Sequence, residues 1–159
     1  MKNKTLILAC LLLFPILAYT QNNLRVNDVF EKYGKQEGSV LVQLSSDVLS
    51  QGNSRIVFYK SMITDTNSIK EQDVQRALKE DIKGNLIISE IKKGGRIESG
   101  TYHLGKNNNI HKYILYKNKS NKITLVYLEG KFPPEKLDYE LKKLKDLFIY
   151  VNNKRIKLQ

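Results

Sequence analysis

The chain has one cysteine, Cys10, no tryptophan, three prolines and two histidines. Each scarcity excludes something. Cys10 falls in the leader described below, so the rest of the chain has no thiol, which rules out disulfide scaffolding, thiol catalysis and cysteine-based zinc sites there. His103 and His111 alone do not make a zinc centre, which needs three or four protein ligands, and the sequence fixes no third ligand beside them; no G-x-S-x-G elbow accompanies them either. Gly94-Gly95 runs into Arg96 and a strand pattern rather than a helix N-terminus, so neither glycine-rich phosphate motif is met. Asp65-Thr66-Asn67 begins like a calcium loop but lacks its glycine and terminal glutamate. No cofactor is expected. Linker-like stretches and internal repeats are lacking too.

What is present begins with a leader. Lys2 and Lys4 precede an apolar run from Leu6 to Leu17, broken only by Pro15, and Ala18-Tyr19-Thr20 follows. The run is shorter than the roughly 20 apolar residues of a spanning helix and has the layout of a signal peptide. Residues 1–20 are therefore expected to be removed after Thr20, leaving no transmembrane segment and sending the protein to the periplasm or outside the cell. A competing reading takes Ile7-Leu8-Ala9-Cys10 as a loose lipobox with Cys10 lipidated; cleavage there would strand most of the apolar run. Residues 21–159 then form a single domain, consistent with 41% hydrophobic and 27% charged residues.

Periodicity predicts a helix over 27–33, capped by Asn27, with Val26, Val29, Phe30 and Tyr33 on one face and Gly34 ending it in a left-handed turn. Strands are expected at 39–44 and 55–63, with a turn or one helical turn at Ser45-Ser46-Asp47. Ser68 to Glu71 reads as a capping box opening a helix with Ile69, Val74, Ala77, Leu78 and Ile82 on one stripe and Gly84 at its end. A four-stranded meander follows, reversing at Gly94-Gly95, at Gly105 to Asn109 and at Asn118 to Asn121. Pro133-Pro134 opens a further helix carrying Leu137, Leu141 and Leu144, and residues 147–158 read as a hairpin or a helix extension. The sum is an α+β domain: a largely antiparallel sheet with two or three helices packed on one face. Phe30, Val40, Val42, Leu78 and Ile114 are expected in one core.

The stretches FEKYGKQEGSVLVQLSSDVL (30–49), KKGGRIESGTYHL (92–104) and KYILYKNKSNKITLVYLEG (112–130) resemble small exported proteins of Bacteroidota catalogued only as domains of unknown function. The shared marks are a helix-Gly-strand opening, a Gly-Gly hairpin and a Tyr-Ile-Leu-Tyr strand. The resemblance implies an exported α+β protein and supplies no activity.

Net charge is +11, or +9 without the leader lysines. It is concentrated: residues 92–122 hold eight basic side chains, Lys92, Lys93, Arg96, Lys106, Lys112, Lys117, Lys119 and Lys122, against the single acid Glu98. Tyr102, Tyr113 and Tyr116 lie between them. Such a region suits an anionic surface, which outside the cytoplasm means lipid headgroups, lipopolysaccharide or acidic glycan. Nucleic acid is not expected, since no recognition motif is present. Lysines at turns and sheet edges also keep strands from pairing with other chains, so the same pattern has a purely protective reading. The expected role is a non-catalytic binding domain. The alternative is a small metal-dependent or hydrolytic enzyme using His103 and His111, which stand directly opposite if the hairpin pairs Leu104 with Ile110.

Overall fold

The structure, a computed structural model, describes residues 24–145, 148–151 and 154–157; the expected leader, its expected cleavage point and Cys10 lie outside them. In chain order the elements are α1 (Arg25–Tyr33), β1 (Val40–Ser45), α2 (Ser46–Leu49), β2 (Ile56–Asp65), α3 (Ser68–Ile82), β3 (Leu86–Lys93), β4 (Arg96–Asn107), β5 (Ile110–Lys119), β6 (Lys122–Gly130), α4 (Leu137–Lys145), β7 (Phe148–Val151) and β8 (Lys154–Lys157). Strands β1 to β6 form one sheet in the order β1-β2-β6-β5-β4-β3, antiparallel at every pairing. β7 pairs with β8, so the tail is a hairpin and not an extension of α4. Among the described residues no helix is long and apolar enough to cross a membrane.

The meander forms where alternation placed it, and its reversals share one device. Gly94 and Gly95, Asn108 and Asn109, and Ser120 and Asn121 all have positive φ, the conformation of a two-residue turn whose twist matches its strands. This is an α+β domain, and the sheet is buried on both sides. Successive strand residues point to opposite faces. Along β5, Ile114 and Tyr116 accordingly join Val29, Phe30, Val74 and Leu78 in a core under α1 and α3, whereas Tyr113 and Leu115 join Leu49, Leu137 and Leu144 on the other face. Two helices thus share one face, while α2 and α4 cover the other. Leu137 and Leu144 belong to the amphipathic stripe of α4, which could have served either face.

Several local expectations are corrected. α1 begins at Arg25, two residues before the expected cap Asn27, because its end is satisfied from elsewhere: Arg25 N and Val26 N donate to the Asp81 carboxylate of α3 at 2.8 Å each. Gly34 keeps right-handed angles, φ −65°, and an added Cβ there would stand 3.0 Å from the Leu41 side chain, so it serves close approach. In α3 the cap is Asn67, whose side chain accepts from Lys70 N at 2.9 Å, and Ser68 is already helical. Ile69 is consequently turned outward, 68% exposed. Phe30, Leu78 and Ile114 share the first core, but Val40 is exposed and Val42 packs on the opposite face.

Candidate functional site

Strand direction divides the eight basic side chains. The β3–β4 and β5–β6 turns project from one end of the sheet and the β4–β5 turn from the other. Lys92, Lys93, Arg96, Lys117, Lys119 and Lys122 therefore gather at one end, and Lys106 and Lys112 lie at the opposite end. All six of the first group are exposed. A groove of about 400 Å³ runs between the two turns, with Lys93, Arg96 and Lys119 on its walls beside Glu71, Glu98 and Asn121. It meets a second groove of about 550 Å³ along α3, which shares Glu71 and Arg96 and adds Arg76 and Lys79. Arg76 and Lys79 lie outside the basic stretch 92–122 in sequence, and the packing of α3 against β4 brings them here.

Beside the packing of Val74 and Leu78 in the core that holds Ile97, Gln75 bonds α3 directly to β4. Its buried amide copies a strand rung: Nε2 donates to Ile97 O at 2.7 Å, and Oε1 accepts from Ile97 N at 3.2 Å. Nε2 also lies 3.2 Å from the Tyr116 hydroxyl. Three of the six cations have carboxylate partners. Lys92 Nζ is 2.6 Å from Glu90, Lys122 Nζ is 2.7 Å from Asp65, and Arg96 reaches Glu71 at 3.5 Å. The bond from Lys92, with a second from Tyr102, holds the Glu90 carboxyl below its ordinary range, and the bond from Lys122 does the same for Asp65. Lys93, Lys117 and Lys119 make no ion pair among the described residues. The interleaved tyrosines do not form a platform: Tyr102, Tyr113 and Tyr116 are all buried, because their positions alternate into the two cores.

The histidine pair forms, though not by the expected register. His103 is opposite Tyr113, and His111 is opposite Lys106. Between those rungs Leu104 and Gly105 bulge, with Gly105 at φ +87°, a conformation that favours glycine. The bulge swings the rings together diagonally, so His103 Nε2 lies 2.9 Å from His111 Nδ1. His103 packs 5.1 Å from Tyr113, and Tyr113 stacks on Phe132 at 5.4 Å. Tyr113 also donates to Phe132 O at 2.7 Å, and burial, with Glu135 nearby, pushes its phenol up to about 12. Burial, and then the neighbouring His111, hold His103 below the ordinary histidine range, against the pull of Glu135.

A separation of 2.9 Å is that of a shared N–H···N hydrogen bond. Two nitrogens on one tetrahedral zinc at about 2.0–2.1 Å would stand about 3.3 Å apart. Among the described residues no group of three or more His, Cys, Asp or Glu is placed to hold a metal ion. Tyr113, through its bond to Phe132 O and its stacking on the Phe132 ring, ties the loop after β6 to the sheet beside the pair.

Residues 13–141 match the model of a family described only as one of unknown function. No curated protein matches the chain.

Proposed function

The chain belongs to the family of unknown function DUF6108, and we propose that it is an exported, non-catalytic binding domain whose cationic sheet end holds an anionic component of the bacterial envelope. One observation carries the reading: six exposed cations gather at one end of the sheet, three of them, Lys93, Arg96 and Lys119, lining a groove whose margin is extended by Arg76 and Lys79. Lipid headgroups, lipopolysaccharide phosphates and acidic glycans share the chemistry such a surface selects, clustered anionic oxygens. Each cation near an anionic surface is worth on the order of 1 kcal/mol; Lys93, Lys117 and Lys119 make no ion pair among the described residues, while Lys92, Lys122 and Arg96 are shared with carboxylates, so the attachment expected is weak and reversible.

Export and an origin in Bacteroidota are part of the same proposal, supported by the leader and by the resemblance over 30–49, 92–104 and 112–130. The alternative enzyme built on His103 and His111 is less favoured, since the two rings spend their facing nitrogens on each other.

Binding to vesicles containing anionic lipid, and to an acidic glycan, tests the proposal. Affinity should fall steeply as salt rises, because exposed charges are screened beyond about 8 Å at physiological ionic strength. No binding to either probe at low salt would overturn it.

A further inference from the structure

Among the described residues, strand β3 stands at the edge of the sheet, paired with β4 alone. Its sequence, LIISEIKK, is the most apolar exposed segment described: Leu86 is 55% exposed, Ile87 50%, Ile88 40% and Ile91 60%. Edge strands are ordinarily protected by charges or proline along their length. Here the lysines are confined to the last two positions, and the one carboxylate, Glu90, is occupied by Tyr102 and Lys92.

The exposed side chains lie on both faces of the sheet. Ile87 is opposite Tyr102 and so shares the α1/α3 face, while Leu86 and Ile91, opposite His103 and Ser99, lie on the other. A partner docking on either face would cover only part of this set. A strand added alongside β3 covers both halves at once, because its own side chains alternate to the two faces while its main chain satisfies the free edge.

We propose that β3 is a strand-accepting edge that pairs, antiparallel, with an extended protein segment carrying acidic residues first and apolar residues after them. Charge sets that order. Lys92 and Lys93 end β3 and Arg96 follows the turn; Lys92 and Arg96 are shared with Glu90 and Glu71, while Lys93 makes no ion pair among the described residues, so the N-terminal residues of an antiparallel partner lie beside the cationic end of β3 and its later residues beside Leu86 to Ile88. A second copy of β3 is a poorer occupant. Antiparallel self-pairing sets the apolar half of each strand against the lysine end of the other. The register shifts at Ile87/Ser89 and Ile91/Lys92 keep the regular stretch short, so the accepted segment is short as well.

The test uses purified protein and three capped octapeptides: Glu-Glu followed by alternating valine and threonine, the same with Lys-Lys first, and the same with the two glutamates last. The acid-first peptide should bind about tenfold or more tightly than either control, a difference of one decade in affinity. It should also slow hydrogen exchange at alternate amides between Leu86 and Ile91. Ile88→Lys and Ile91→Lys, both at exposed positions, should each weaken binding about tenfold. Lys119→Glu should spare peptide binding while weakening attachment to anionic vesicles, which separates this edge from the cationic groove. Equal binding of the acid-first and acid-last peptides, with β3 exchange unchanged, would reduce the effect to bulk charge and overturn the proposal. So would a dimer dispersed by Ile88→Lys, which would give the edge to a second copy, or edge amides already protected in the protein alone, which would give it to this chain's own residues.

Discussion

Replacing Glu140 probes how the second core is held. This α4 carboxylate is fully buried and accepts from Arg55 N at 2.9 Å and Arg55 Nε at 2.9 Å, with Lys143 Nζ 3.5 Å away. The backbone bond, a buried donor on a charged acceptor, is worth about 1.5–3 kcal/mol. Because the Arg55 side chain is 47% exposed, its ion pair is screened and adds at most about 1 kcal/mol. Glu140→Gln keeps one acceptor oxygen but loses the charge, and should cost about 1–2 kcal/mol. Glu140→Ala orphans the Arg55 amide and leaves a void, and should cost about 3–4 kcal/mol. Burial opposes the charge on Glu140, but the Arg55 bonds and Lys143 more than offset it and hold the carboxyl below its ordinary range. A depressed folded pKa gives stability that is complete above the unfolded value and lost as pH falls through the folded one. The protein should therefore lose stability below about pH 4.5, and Glu140→Gln should lose less. Urea denaturation between pH 7 and pH 3 measures both effects. A Glu140→Gln cost under about 0.5 kcal/mol at pH 7, with an unchanged acid slope, would refute the reasoning.

Three further outcomes follow from the same structure. Phe30, on the inner face of α1, is fully buried, so Phe30→Ala should cost about 3–5 kcal/mol in chemical denaturation, and a loss under about 1 kcal/mol would remove it from the core. His103 is held below the ordinary histidine range, so the fold favours its neutral form; stability should be complete above about pH 6.5 and decline as pH falls toward the lower folded value. His103→Gln should flatten that decline between pH 7 and pH 5, and an unaltered slope would place the titration elsewhere. Mass spectrometry of the exported protein should find an N-terminus at Gln21 without lipid, whereas a lipid mass on Cys10 would favour the lipobox reading.

The meander was legible because its strands alternate and its turns carry Gly-Gly, Asn-Asn and Ser-Asn, residues that tolerate positive φ. Helix ends were less so. The Asp81 cap on α1 comes from 55 residues away in sequence, and no local pattern announces it. The histidine pair was legible in composition but not in register, since Gly105 looks like turn material until the bulge assigns it to β4. The cationic residues could be named from sequence, but their division between two ends of the sheet depends on the direction of each strand. Tyr102 and Tyr116 are strand formers first, and their burial follows from the alternation of β4 and β5. The exposure of β3 was hidden, since LIISEIKK reads as an ordinary half-buried strand until its edge position is known.

The central claim is that one end of the sheet, and not net charge, binds the anionic partner. Two variants of equal charge change decide it: Lys93→Glu with Lys119→Glu at the groove, and Lys106→Glu with Lys112→Glu at the opposite end, compared for binding to vesicles containing anionic lipid. The account predicts that the groove pair loses most of the affinity, since each cation near such a surface is worth about 1 kcal/mol and each reversal adds repulsion of similar size, while the opposite pair binds nearly as the parent does. Equal losses from both pairs would contradict it.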